Sequence, residues 1–169
     1  MLRPGRSARP APSPRRFKLG LPLPPDGADR TGPVAITVPP RAEHSLLRRL
    51  VREGIGGYEP ETAACFLAAL RLAPNGAVLD VGANVGLYSI LASGRSGRPV
   101  YGFEPTPDLA DLMRQISRAN DLGFRTEQIA LGSENGTAAL YLSDQTDMSN
   151  SLAEGFRHSP EQLDVKVEK

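Results

Sequence analysis

The chain has 169 residues, of which 40% are hydrophobic and 23% charged, and its formal net charge is +1. This length and composition predict one soluble globular domain and argue against a fibrous or membrane protein. The near-neutral charge gives no reason to expect binding to nucleic acid or to a membrane surface. A single cysteine excludes an internal disulfide, and with two histidines far apart in the sequence we predict no metal site.

The first third of the chain differs in composition from the rest. Residues 1–53 contain eleven Lys or Arg and four Asp or Glu, and ten of the sixteen prolines lie in the first forty residues. Because such proline density prevents a helix and buries little apolar surface, we predict a basic, proline-rich disordered tail over residues 1–32 and a domain over 33–169. No apolar segment follows the early arginines, as a secretory signal would require. The prolines also argue against the amphipathic helix of an organellar transit peptide, so we predict a cytoplasmic protein.

Three short elements are predicted after the tail. A β-rich run fenced by prolines at 33–39 predicts an edge strand, and leucines at helical spacing predict a helix over 46–52. A second helix is predicted from Pro60, with one apolar stripe that ends before Pro74. Cys65 lies next to this stripe and has no base placed by the sequence to activate it, so we predict a buried structural thiol.

A strand, a glycine turn and a helix follow from residue 77. The apolar run at 77–81, interrupted by one acid, is typical of a buried parallel strand that ends at a site. It leads into the turn Gly-Ala-Asn-Val-Gly at 82–86, and residues 87–93 predict a helix that ends at Gly94.

A second strand and helix complete the unit. Residues 100–103 predict the strand, which leads directly into Glu104. Thr106 is the predicted N-cap of a helix that begins at residue 107 and ends near Gly123. The order is that of a βαβ unit in an α/β sheet, with a ligand expected at the carboxyl ends of the strands.

The spacing of the turn and the acid predicts a nucleoside-containing ligand. Gly82 lets the backbone turn sharply and approach a ligand, and Gly86 lets the helix begin close to the strand. Glu104 follows Gly82 by 22 residues, a spacing that suits a carboxylate accepting hydrogen bonds from the two hydroxyls of a ribose. The alternative is that the turn only connects a strand to a helix.

The same region argues against a dinucleotide. The fingerprint G-x-G-x-x-G needs glycine at positions 84 and 87, where the chain has Asn84 and Leu87, and no phosphate-binding Gly-Lys-Ser/Thr loop is present. Asp80 lies just before the turn, where it would repel a pyrophosphate but attract a cationic group. A ligand with a ribose at one end, a cation at the other and no phosphate describes S-adenosylmethionine.

Several segments together resemble the FkbM family of S-adenosylmethionine-dependent methyltransferases. They are Val-Leu-Asp-Val-Gly-Ala-Asn-Val-Gly-Leu-Tyr-Ser at 78–89, Val-Tyr-Gly-Phe-Glu-Pro at 100–105, Ala-Leu-Gly at 130–132 with the segment 136–142, Tyr-Glu-Pro at 58–60, and Ser-Asn-Ser-Leu at 149–152. The resemblance covers residues 57–152. It implies an α/β fold with the Rossmann-like, doubly wound sheet of class I methyltransferases. It also implies methyl transfer from S-adenosylmethionine to a hydroxyl oxygen of a small molecule or glycan.

The resemblance further implies a set of cofactor-binding residues. They are Asp80, Gly82, Asn84 and Gly86 at the methionine end, Glu104 at the ribose, and Ala130 near the adenine. Weaker candidates for the same pocket are Tyr58, Glu59 and Pro105. The sequence names no catalytic residue and no specific acceptor.

The end of the chain departs from the family pattern. Family members continue into a strand with a Lys-x-Asp-x-Glu-Gly signature, which residues 163–169 lack, although Val165 and Val167 indicate a strand. With three principal strands and a hairpin around 137–142, the resemblance implies only the N-terminal half of the family's domain. We therefore expect an open sheet edge, marginal stability and little turnover.

Other interpretations stay open at this point. One alternative is a non-catalytic cofactor-binding or interaction fragment, and a pure interaction module would fold alone and show no affinity for the cofactor. A nicotinamide-dependent oxidoreductase is a second alternative, because it would also use an acid such as Glu104 to bind a ribose. The chain lacks the glycine pattern that such an enzyme needs. The sequence does not predict the oligomeric state. His158 is predicted to be a solvated loop residue, and the serines at 149 and 151 are loop residues that are also candidates for facing the acceptor.

Overall fold

The computed structural model describes residues 15–19, 34–40, 44–73, 75–143, 150–155, 158 and 160–169. These residues form helices and three small sheets, which confirms the predicted α/β class. In chain order the elements are β1 (Arg15–Leu19), β2 (Val34–Val38), α1 (Ser45–Glu53), a single 3-10 turn (Ile55–Gly57), α2 (Pro60–Leu72), β3 (Val78–Val81), α3 (Leu87–Ser96), β4 (Val100–Phe103), α4 (Pro107–Ala119), β5 (Arg125–Glu127), β6 (Ala130–Leu131), β7 (Gly136–Leu142) and β8 (Glu161–Glu168). Within these ranges, every helix is too short or too polar to cross a lipid bilayer.

A parallel sheet of three strands carries the candidate site. Its strand order is β3-β4-β5, and Asp80 of β3 lies opposite Gly102 of β4. Both residues face α3 and α4, since Met113 of α4 packs close to Gly102. Side chains alternate along a strand, so Leu79 and Val81 point to the other face, where they are 60% and 59% exposed. In the part of the chain that the structure describes, helices therefore cover one face of this sheet and β3 lies at its edge.

The main core lies between the helices and the covered face of the sheet. The predicted helices over 46–52 and from Pro60 are confirmed, because each buries its apolar stripe. The largest fully buried side chains of this core are Ile36, Leu47, Leu50, Ile55, Ile90, Leu91, Met113 and Ile116.

β1 and β2 form a separate antiparallel pair, with Arg15 opposite Val38. β2 is the predicted strand fenced by prolines. β1 lies inside the segment 1–32, so the prediction of a disordered tail does not hold for Arg15–Leu19. These five residues contain no proline, and each can therefore take part in a strand ladder. The other residues of the predicted tail lie outside the described residues.

The side-chain amide of Asn120, just after α4, forms two hydrogen bonds with the backbone of β2. The Oδ1 atom of Asn120 accepts a hydrogen bond from the Thr37 backbone N–H at 2.7 Å, and its Nδ2 atom donates to the Thr37 carbonyl oxygen at 2.9 Å. The amide thus satisfies both backbone groups of one β2 residue, as a neighbouring strand would.

Two helix ends differ from the sequence prediction. α3 passes through Gly94 and ends at Ser96, and the next residue, Gly97, adopts a left-handed conformation with φ +63°. A glycine inside a helix costs only about 1 kcal/mol, whereas a left-handed C-terminal position strongly favours glycine. α4 begins at Pro107 as predicted but ends at Ala119, and the predicted stop, Gly123, lies in the following loop.

Cys65 is exposed, so the prediction of a buried structural thiol is wrong. α2 buries Ala63, Leu67 and Leu70. Cys65 is two residues from Ala63, about 200° around the helix, and it therefore lies on the side away from this stripe.

β6, β8 and β7 form the third sheet in that order. β8 is parallel to β6 and antiparallel to β7, with Val165 opposite Ala138. The strand indicated by Val165 and Val167 is confirmed, while the predicted hairpin around 137–142 is one strand, β7, that pairs with β8. A second small core lies on this sheet and consists of Ala130, Leu140, Val165 and Val167.

Candidate functional site

The turn between β3 and α3 has an unusual backbone that explains its sequence. Gly82, Asn84 and Gly86 have positive φ angles of +71°, +54° and +79°. Glycine adopts this left-handed region without strain, and asparagine tolerates it better than most other residues. The turn therefore needs Gly-x-Asn-x-Gly for its backbone shape, and a third dinucleotide-type glycine is not required.

The backbone N–H groups of this turn are all engaged within the protein. The N–H groups of Gly82 and Ala83 both donate to the Phe103 carbonyl oxygen, and that of Gly86 donates to the Ala83 carbonyl oxygen. The Asn84 N–H donates to the Glu104 carboxylate, and the Val85 N–H donates to the side-chain oxygen of Asn84. These five hydrogen bonds are between 2.7 and 3.0 Å long. A dinucleotide site instead directs such N–H groups at the pyrophosphate. None of these five groups remains available for a phosphate.

Glu104 is a buried carboxylate at the carboxyl end of β4. It is only 5% exposed, yet it borders a cavity. Its Oε2 atom accepts the Asn84 N–H at 2.8 Å and its Oε1 atom accepts the Thr106 N–H at 2.9 Å. A carboxylate has about four lone-pair sites, so about two remain for a ligand. The side chain thus links the turn after β3 to the start of α4 and still has acceptor capacity.

Asp80 is held by the helix that follows the turn. Its Oδ2 atom accepts hydrogen bonds from the backbone N–H and the hydroxyl of Ser89, at 2.8 and 2.7 Å. Burial raises the pKa of Asp80 above its usual value of 3.8, against the opposing effect of the two Ser89 hydrogen bonds. Among the described residues no hydrogen-bond donor reaches Oδ1. A half-buried acid with one free oxygen is suited to a cationic ligand group.

The raised pKa of Asp80 makes stability depend on pH. The native protein retains this proton to a higher pH than the unfolded chain, so the free energy of unfolding falls as pH rises from 3.8 through the raised native pKa. We expect the stability of the wild type relative to Asp80→Asn to decrease across that interval and to be constant above it. Urea denaturation of both proteins at a series of pH values measures this difference. A difference that increases with pH would contradict the assignment.

A cavity of about 350 Å³ lies over the carboxyl ends of the strands. This volume is within the usual range for small-molecule pockets. Of the sequence-predicted residues, the cavity is bordered by Tyr58, Asp80, Gly82, Asn84, Glu104, Pro105 and Ala130. The structure thus brings together seven of the nine candidates.

The other two candidates lie outside this cavity. A Cβ atom on Gly86 would lie 3.1 Å from Cε of Met113, so Gly86 allows α3 and α4 to pack closely instead of meeting a ligand. Glu59 borders a neighbouring cavity between α2 and β3. Its φ of +44° at the N-terminus of α2 is unusual for a residue that is neither glycine nor asparagine.

Several cavity residues were not singled out from the sequence. Apolar side chains with no predicted role in the site also border it, namely Leu46, Leu87, Leu109, Leu131 and Leu140. Tyr88 was part of the quoted motif without a role, and Ile129 carried no signal. Ser151, which the sequence analysis names as a candidate for facing the acceptor, borders the cavity together with Asn150 and Leu152. Two backbone hydrogen bonds with Tyr141 hold Ser151 beside β7. Ser149 lies outside the described residues.

The two histidines of the chain do not border the cavity. His44 is buried at the N-terminus of α1, and His158 is exposed. Across the described residues there is no cluster of three or more His, Cys, Asp or Glu side chains suited to a metal ion. In comparisons with known proteins, the chain matches no family model and no curated protein.

Proposed function

We propose that the chain binds S-adenosylmethionine in this cavity and is a Rossmann-like, FkbM-type methyltransferase that acts on a hydroxyl of a small molecule or glycan. The observation that carries the proposal is a buried acid, Glu104, facing a cavity beside a turn that has no free N–H group. The family and the acceptor class rest on the sequence motifs.

The ribose part of the ligand is matched by Glu104. The carboxylate has about two free lone-pair sites, and a ribose has two adjacent hydroxyls that can donate to them. The protein itself fixes the carboxylate with two backbone hydrogen bonds, so its orientation does not depend on the ligand.

The amino-acid part of the ligand is matched by Asp80. Among the described residues Asp80 has no cationic partner and no donor on its Oδ1 atom, which suits the ammonium group of the methionine end. A pyrophosphate would meet this acid and the engaged N–H groups of residues 82–86, which is unfavourable on both counts. These features favour a methyl-donor cofactor over a nicotinamide dinucleotide.

The adenine part is matched by the apolar side of the cavity. Ala130 is 6% exposed and borders the cavity with Ile129 and Leu131, beyond the end of β5. When bound, the cofactor would supply an electrophilic methyl group, and the residues named here would bind and orient it.

Calorimetric titration of the purified chain with S-adenosylhomocysteine, and separately with NAD, tests the proposal. We expect saturable binding of S-adenosylhomocysteine and no binding of NAD. Binding of NAD alone would favour the oxidoreductase interpretation. Binding of neither ligand would favour an interaction module and would overturn the proposed function.

A further inference from the structure

Three arginines border a small cavity at the end of the sheet opposite the candidate site. The cavity has a volume of about 190 Å³, and Arg71, Arg95 and Arg98 border it together with Asn75. Asn75 lies shortly before β3 and Arg98 shortly before β4, so the cavity is at the amino ends of these strands. The candidate cavity lies at their carboxyl ends and shares no bordering residue with this one. The two cavities are therefore separate.

Hydrogen bonds fix both the backbone and the side chain of Arg98. Its backbone N–H donates to Oγ of Ser96 at 3.3 Å, and its Nη2 atom donates to the carbonyl oxygen of Ala73, just after α2, at 2.8 Å. A guanidinium has five N–H donors, and among the described residues this is the one side-chain hydrogen bond that Arg98 makes. The side chain is thus held beside the cavity and keeps donors for a ligand.

The positive charge around this cavity exceeds the negative charge. Arg71 and Arg95 lie in the last turns of α2 and α3, where the helix dipole favours cations. Each helix end supplies only about half an elementary charge, so the two ends together offset roughly one of the three positive charges. None of the described residues that border the cavity is acidic. An anion with about two negative charges would balance what remains.

The surroundings of the cavity favour a small, strongly bound anion. Burial lowers the pKa of the Arg95 guanidinium, which still carries its charge at neutral pH because arginine is not deprotonated in proteins. A partly buried charge is less screened by solvent than a surface charge and attracts an anion more strongly. The cavity is smaller than the pockets of about 300–1,000 Å³ that hold drug-sized ligands, so it fits a single anionic group.

We propose that Arg71, Arg95 and Arg98 form a binding site for a phosphate group, either free phosphate or a phosphate monoester. A phosphate monoester carries about −1.5 to −2 charges at pH 7, which matches the unbalanced positive charge. Guanidinium groups bind phosphate oxygens through two parallel N–H donors. A carboxylate has one negative charge and would leave the cavity positive. The site does not depend on the proposed function, because it lies away from the candidate cavity.

Equilibrium dialysis of the whole chain with radiolabelled inorganic phosphate, at an ionic strength held constant with sodium chloride, tests the proposal. We expect saturable binding of one phosphate per chain. Arg71→Gln and Arg95→Gln are each expected to weaken it about tenfold or more, because hydrogen bonds between charged groups are lost. Arg118→Gln is the matched control. Arg118 also lies in the last turn of a helix, α4, and donates to a backbone carbonyl oxygen, but it does not border the cavity.

The absence of saturable binding overturns the proposal, and so does wild-type affinity in Arg71→Gln and Arg95→Gln or an equal loss in Arg118→Gln. Arg71 is exposed, so its substitution is expected to preserve the fold, which thermal melting without phosphate checks. Added phosphate should raise the melting temperature of the wild type more than that of either variant, since only the folded chain has the site.

Competition with glycerol 3-phosphate distinguishes the two sources of the phosphate group. Displacement of the labelled phosphate shows that the site accepts monoesters, whereas failure to displace it assigns the site to free phosphate. Both results support a phosphate site. Displacement by sodium acetate at equal ionic strength would overturn it, because a carboxylate would then serve as well as a phosphate.

Discussion

Replacing Glu104 with Ala is expected to weaken S-adenosylhomocysteine binding at least tenfold and also to destabilise the protein. The ribose hydroxyls lose a charged acceptor, a change on the order of 1.5–3 kcal/mol. The backbone N–H groups of Asn84 and Thr106 lose their acceptor as well. Calorimetry gives the change in affinity, and urea denaturation gives the change in the free energy of unfolding.

Two further variants separate these effects. Glu104→Gln keeps one acceptor oxygen, so we expect it to retain more stability than Glu104→Ala while binding remains weaker than in the wild type. Glu127→Gln is the matched control, because Glu127 ends the neighbouring strand β5, is exposed and does not border the cavity. Wild-type affinity in a folded Glu104→Ala protein would overturn the ribose assignment.

Replacing Gly102 with Val is expected to have the largest effect on stability. A Cβ atom at this position would lie 2.5 Å from Cε of Met113 and 2.8 Å from Oγ of Ser89. Met113 is fully buried, and Ser89 is fixed by its hydrogen bonds to Asp80, so neither side chain can withdraw without a cost. Overpacking of this kind costs about 1–3 kcal/mol, which urea denaturation measures directly.

The control for this substitution is another glycine in a strand. Gly136→Val adds the same side chain at the start of β7, where the glycine is exposed and a Cβ atom meets nothing within 4 Å. We expect this variant to remain close to the wild type in stability. Equal destabilisation by both substitutions would show that the cost comes from valine in a strand, not from the packing around Gly102.

The sequence predicted the elements whose pattern is local. Apolar residues at helical spacing identified α1, α2 and α4, and the unit from β3 to α4 followed from one glycine turn and one acid. The meeting of Asp80, Gly82, Asn84 and Glu104 at one cavity was also predictable, because the carboxyl ends of adjacent parallel strands lie at the same edge of a sheet.

Features that depend on distant contacts were not predictable in the same way. In the sequence Gly102 is indistinguishable from an ordinary strand residue. Only the closeness of Met113 in the structure shows why this position requires glycine. The exposure of Cys65 depends on which face of α2 meets α3. β8 pairs with both β6 and β7, so no local pattern identifies its partners. The burial of the Tyr88 hydroxyl without a hydrogen-bond partner among the described residues depends on the packing of the Tyr88 ring against Phe66 of α2.

The open side of β3 has a thermodynamic consequence for the cavity. Val81 is 59% exposed on the uncovered face of the sheet. Val81 and Asp80 border both the candidate cavity and the neighbouring cavity between α2 and β3. Anything that pairs with this strand, including a second copy of the chain, would therefore contact the same residues as a ligand. The two binding events are then linked, and each changes the affinity for the other by the same factor. Apparent ligand affinity would then vary with protein concentration, in proportion to how far the chain self-associates.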